Sequence, residues 1–272
     1  MRRSNWLAVL LAMFIAGPVS SHQLQASPIK ARPMATAYIA IIIDDLGNHL
    51  ARGKRAVALP AMLTYAVLPH TRYGGQLAEL AFQNGKEVML HMPMANLGTQ
   101  AIGPGGLTLN LNEAEFNQTL NLALQQIPHV RGINNHMGSR LTQEPLQMHW
   151  LMAAIKTHKL FFIDSRTTPD TVASTLAKQA QIRTASRDIF LDNEPTFFSI
   201  DMAFKALMAK ARRDGTAIAI GHPYPMTLDY LDMVLPQLAE QQIEVLPASI
   251  LIAHQLSRRP LQMNLQRAAL GP

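Results

Sequence analysis

Tyr38-Ile39-Ala40-Ile41-Ile42-Ile43-Asp44-Asp45-Leu46-Gly47 drives an apolar, largely β-branched run straight into two adjacent carboxylates. β-Branched side chains are stiff and pack well on a pleated surface, so the run reads as a buried strand ending in charge. Working outward, similar short apolar runs recur at 63–68, 87–90, 130–133, 160–163, 188–191, 216–220 and 244–246, separated by amphipathic stretches of helical length. That alternation predicts an α/β fold with a parallel sheet and crossover helices. Seven or eight strand and helix units favour a closed or nearly closed (β/α) barrel; an open doubly wound sheet is the alternative. Helix ends are legible at Asn112 with Glu115, a capping-box pair, at Thr168-Pro169, and at the glycines Gly85 and Gly215.

The chain has 272 residues, 48% of them apolar, which is enough for one large core and too much for disorder. It has no cysteine. Disulfide scaffolds, thiolate zinc ribbons and thiol nucleophiles are thereby excluded, and any metal must be held by His, Asp and Glu. Met1-Arg2-Arg3 followed by the apolar run 7–15 and Val19-Ser20-Ser21 has the layout of a secretory signal. Residues 1–21 are therefore expected to be a signal peptide, 22–36 a linker with Pro28 and Pro33, 37–257 the barrel domain, and 258–272 a flexible tail. The apolar run is shorter than the roughly 20 residues a span requires. An exported protein of the periplasm or extracellular space, with no stable membrane span after cleavage, is expected. Removing Arg2 and Arg3 lowers the cation count from 24 to 22 against 18 acids, and the rest are scattered, so no nucleic-acid partner is expected.

The polar residues of interest recur where predicted strands end, which is where a parallel barrel places its reactive groups. Asp44 and Asp45 end the first strand; if one binds a dication, the other can stay ionised beside it as a base. His91 and His136 are the best nitrogen ligands, and with Asp45 they would make a three-ligand site with an open position. The metal expected is zinc, with manganese and cobalt compatible. His222 ends the seventh strand and can supply a proton near neutral pH. Asp164 can orient such a His and Arg166 can hold the base ionised, while Asn135, Asp192 and Tyr224 are candidate substrate contacts. Tyr65 and Tyr73 are further candidates for stacking on a sugar.

The ordered set Ile42-Ile43-Asp44-Asp45-Leu46-Gly47, Leu90-His91-Met92-Pro93-Met94, Asn134-Asn135-His136-Met137-Gly138-Ser139, Phe162-Ile163-Asp164-Ser165 and Ile220-Gly221-His222-Pro223 resembles the divergent polysaccharide deacetylase family, related to the NodB-type carbohydrate esterases. The resemblance implies a distorted (β/α) barrel and a metal-dependent hydrolase that removes acetyl groups from a glycan or cell-wall polysaccharide. It implies Asp44 as catalytic base, Asp45 and His91 as metal ligands and His222 as general acid. The sequence departs from the family pattern at Ala95, where the second His of the metal motif belongs, and His136 would have to supply that nitrogen. A glycan-binding or envelope-interaction protein that kept the pocket and lost turnover is the alternative that Ala95 motivates.

Overall fold

The protein is described as a computed structural model over residues 36–269. The expected signal peptide and all but the last residue of the expected linker lie outside the described residues. Strands β1 (Ala37–Leu46), β2 (Thr64–Val67), β3 (Glu87–Met94), β4 (Val130–Met137), β5 (Phe161–Asp164), β6 (Thr184–Ser186), β7 (Ile189–Phe190), β8 (Thr216–Gly221) and β9 (Ile243–Val245) form one sheet. Helices α1 (Leu50–Val57), α2 (Gly74–Gln83), α3 (Glu113–Gln126), α4 (Pro145–Thr157), α5 (Ala173–Gln179), α6 (Phe197–Asp214), α7 (Pro225–Val234) and α8 (Ala248–Ala269) connect or flank them.

All pairings are parallel, in the order β6-β5-β4-β3-β2-β1-β8-β7, with β9 beside the first half of β1. The two edge strands β6 and β7 are separated by only Arg187 and Asp188 in the chain, so the sheet must curl until its edges nearly meet. Those two residues form the seam: the Arg187 N–H donates to the Asp164 carbonyl at 2.9 Å, and the Asp188 N–H to the Ile218 carbonyl at 2.9 Å. This is the distorted barrel. The eight expected strands are present; β6, three residues long, is too short to register as an apolar run.

Side chains alternate across each strand, and the alternation sorts the core into two layers. Ala40 and Ile42 of β1, Ala66, Met89, Phe161, Ile163, Ile218 and Ile220 fill the barrel interior, where Ala248, Leu251 and Ile252 of α8 join them. Odd-numbered neighbours on β1 (Ile39, Ile41, Ile43) instead pack outward with the helices. The start of α8 is tied to the first residues of β2 and β3, with the Ala248 N–H on Thr64 Oγ1 and the Ser249 N–H on Glu87 Oε1. The N-terminal end of the barrel is thus plugged, which leaves the C-terminal end for a site. Gly132 allows the filling: a Cβ there would lie 2.4 Å from the Phe161 ring.

Several local expectations hold. Asn112 and Glu115 make the reciprocal capping box of α3, and Gly215, at φ 85°, ends α6 in the left-handed conformation. Two do not. Thr168-Pro169 starts a turn, with Thr168 Oγ1 accepting the Asp170 N–H, and α5 begins only at Ala173. The expected tail from Arg258 continues α8, which is helical as far as Ala269.

Candidate functional site

Strand parity carries three polar side chains into the open end of the barrel. Asp44 continues the interior series Ala40, Ile42; His91 continues Met89; His222 continues Ile218, Ile220. Asp45 by parity belongs on the outer face. Its backbone, however, sits at φ 58°, where the β1–β2 register shifts between Ile43 and Leu46, and this irregularity turns the second carboxylate inward as well. Left-handed backbone at a non-glycine residue costs about 1 kcal/mol or more. Asp45→Gly is therefore expected to make the metal-free chain about 1 kcal/mol more stable to denaturant than Asp45→Ala. Equal stabilities would remove the strain.

Asp45 Oδ1 lies 3.2 Å from His91 Nε2 and 3.0 Å from His136 Nδ1, and the two ring nitrogens are 3.1 Å apart. His136 reaches this point from β4, whose register sets Asn134 beside His91 and His136 beside Pro93. Asn134, fully buried between the strands, accepts from His91 Nδ1 at 2.8 Å and donates to Asp44 Oδ1 at 2.8 Å. With Nδ1 carrying the proton, the Nε2 lone pair of neutral His91 faces Asp45. Asp45 Oδ1 is itself buried and without a hydrogen-bond partner. The two facing ring nitrogens share one hydrogen bond at 3.1 Å, and a cation among the three atoms would take its place and satisfy Asp45 Oδ1 as well. Two imidazole nitrogens and one carboxylate suit zinc, with cobalt and manganese compatible. The cluster is half-open, with the Asp45 side chain 31% and that of His136 19% exposed, so water and substrate can reach it.

The charges agree with that reading. Burial pushes the Asp45 carboxyl up, but the adjacent His136 and His91 pull it further down, below the usual carboxylate range. Burial would lower His91, yet the Asp44 charge and Asp45 raise it: without an ion, the paired carboxylates draw in protons. Asp44, 2% exposed, has its pKa raised by burial against the opposing pull of His91 and His222.

His222 lies across the pocket, its Nε2 3.9 Å from Asp45 Oδ2. Asp192 holds it: Oδ1 is 2.8 Å from His222 Nδ1, and Oδ2 accepts both the His222 N–H and the Thr227 hydroxyl at 2.7 Å. Burial pushes the imidazole down, but the Asp192 hydrogen bond and the surrounding carboxylates push it up to about 9. Phe190 and Tyr224 flank the ring, with centroids 6.3 and 5.3 Å away.

The remaining expected residues fall elsewhere. Asp164 follows Phe162 on the helix-facing side of β5, so it does not orient His222; its oxygens accept the Arg166 N–H, the Thr171 hydroxyl and the Ser174 N–H. Arg166 is exposed and makes no hydrogen bond to Asp44. Asn135, again outward by parity, has its oxygen on the Ser165 N–H and its amide on the Met137 carbonyl, which leaves it bracing the loops. Tyr65 is fully buried, with its hydroxyl on the Ala56 carbonyl, and cannot stack on a sugar. Asn134, absent from the expected set, connects Asp44 to His91. Its signal was its interior parity two residues before His136.

The profile of the divergent polysaccharide deacetylase family matches residues 41–252, which include every strand end just described. An uncharacterized protein of Haemophilus influenzae is 38% identical over 206 residues, covering 76% of this chain and 74% of its own. The Escherichia coli K12 protein YibQ is 32% identical over 219 residues, covering 80% and 69%. Among solved structures, an uncharacterized Agrobacterium tumefaciens C58 protein superposes with a TM-score of 0.77 at 22% identity, over 80% of this chain and 90% of that one. The peptidoglycan deacetylase PdaC of Bacillus subtilis superposes with a TM-score of 0.52 at 16% identity, over 84% and 97%. At these identities the superpositions speak to the fold alone. With the family profile spanning most of the chain and the barrel closing on its strand-end residues, this protein belongs to the divergent polysaccharide deacetylase family.

Proposed function

We propose that the protein is a metal-dependent hydrolase that removes acetyl groups from a glycan, with Asp45, His91 and His136 holding the ion. The observation that carries this reading is the buried, partnerless Oδ1 of Asp45 facing two imidazole nitrogens at 3.0 and 3.2 Å. A bound divalent ion supplies Lewis acidity at an acetyl carbonyl and makes water easier to deprotonate. Asp44, fixed by Asn134, takes a proton from the attacking water. His222 carries its transferable proton on Nε2, because Nδ1 is engaged by Asp192, and gives it to the departing amine or alkoxide. Asp192 is a positioning residue: it sets the His222 tautomer and stabilises the imidazolium.

The direct test is acetate release from N-acetylated chitooligosaccharide, abolished by a chelator and restored by zinc. Asp192→Asn is expected to lower turnover roughly 100-fold while shifting the acidic group of the pH profile downward, since the carboxylate that raises the His222 pKa is gone. A reduced rate with an unmoved pH profile would make Asp192 merely structural. A glycan-binding protein without turnover has less support than at the level of sequence, because His136 stands in for the histidine missing at Ala95 and base, acid and ligands converge. Export to the periplasm or cell surface, with cell-wall glycan as substrate, fits the family and the first 21 residues; no helix among the described residues is long and apolar enough to cross a membrane.

A further inference from the structure

Beside the catalytic groups, at the barrel seam, two arginines converge on a cavity of about 240 Å³ lined by Arg166, Thr168, Pro169, Arg187 and Asp188. Arg187 is half-buried. Its Nε donates to the Ser165 carbonyl at 2.7 Å, one Nη donates to the Arg166 carbonyl at 2.9 Å, and the guanidinium carbon lies 3.6 Å from the centre of the Phe190 ring. Among the described residues, the other Nη has no hydrogen-bond acceptor, and neither guanidinium has a carboxylate oxygen within 4 Å. Asp188 is committed elsewhere, to the Ile218 N–H at 2.8 Å and to Lys210 at 3.4 Å. Burial and the Arg166 charge hold the Arg187 guanidinium below its ordinary pKa, although Asp164, Asp188 and Asp44 pull the other way.

The arrangement is built into the backbone. Arg166 sits at φ 49°, held there by Asp164, which accepts its N–H, and by Arg187, which donates to its carbonyl. Strained non-glycine backbone persists only where its surroundings over-determine it. The cavity is also coupled to the catalytic groups. Ser165, whose carbonyl binds Arg187, has its hydroxyl 3.3 Å from the Asn134 amide that fixes Asp44, and the other face of the seam reaches His222 through Phe190.

We infer that this cavity is an acidic subsite that binds a carboxylate substituent of the glycan through Arg166 and Arg187. Two guanidiniums with Asp188 in the same lining leave the cavity at about +1, which a monoanionic carboxylate neutralises and a phosphate dianion would exceed. The inference rests on the deacetylase reading for its glycan, and it deepens that reading by selecting acid-bearing polysaccharides over neutral ones.

The test is binding to the zinc-loaded full chain carrying Asp44→Asn, which keeps the glycan intact. The probes are a tetrasaccharide of alternating N-acetylglucosamine and N-acetylmuramic acid and its methyl ester. The free acid is expected to bind about ten-fold tighter than the ester, the worth of one charge-assisted contact. Arg166→Gln, on an exposed side chain, should erase the difference with zinc stoichiometry unchanged; Arg187→Gln should do the same if it folds. Equal binding of acid and ester, including no binding of either, overturns the subsite, as does a preference that survives Arg166→Gln. Acetate release by the unaltered chain is measured alongside. Preference without release supports the subsite and counts against the deacetylase; release without preference overturns the subsite alone.

Discussion

His136→Ala is expected to lower zinc affinity at least about 100-fold, because loss of a residue that only braces a ligand costs about 10- to 100-fold and His136 is proposed as a direct ligand. The geometry allows no substitute. His91 lies on a strand that is extended through Met94, so position 95 is about 13 Å further along at roughly 3.3 Å per residue. A histidine at Ala95 could not share an ion with His91, and Ala95→His is expected not to rescue the His136 variant. Ala95 is besides part of the frame: its N–H donates to the Leu107 carbonyl, and its own carbonyl accepts from Arg140 and Leu141. Competition against a calibrated chelator measures the affinity; an unchanged value in His136→Ala would sink the three-ligand account.

Asp44→Asn is expected to reduce turnover about 1000-fold, within the usual range for loss of a general base, while zinc stays bound. Asp44 Oδ2 is 3.5 Å from His91 Nε2, but it is Asp45 whose Oδ1 meets both imidazoles at hydrogen-bond distance. Division of labour between the two neighbours predicts opposite signatures: Asp44→Asn loses rate and keeps metal, whereas Asp45→Asn loses metal. Loss of zinc from the Asp44 variant would reverse the assignment of base and ligand.

Much of this was readable from the chain alone. The apolar runs located eight of nine strands, and their charged ends named Asp44, Asp45, His91, His136 and His222. The misassigned residues were also within reach. Asp164 follows the outward Phe162 and Asn135 the outward Ile133, so period-two alternation already turns both away from the barrel interior, whereas Asn134 and Asp192 fall on the inward face.

By itself, then, the sequence determined the α/β class, the strand ends that carry the candidate site residues and the absence of any thiol. It did so because hydrophobic periodicity and strand termination are local properties, written residue by residue. Tertiary structure alone decided that Asp45 turns inward, since this needs a register shift against β2 and a left-handed backbone that no propensity predicts. It decided that Asp192 rather than Asp164 holds His222, a pairing 30 residues apart that exists only when β7 and β8 lie side by side. It also brought Arg166 and Arg187 onto one cavity, because the two sheet edges meet there through a two-residue seam whose closure is set by the curl of the whole sheet.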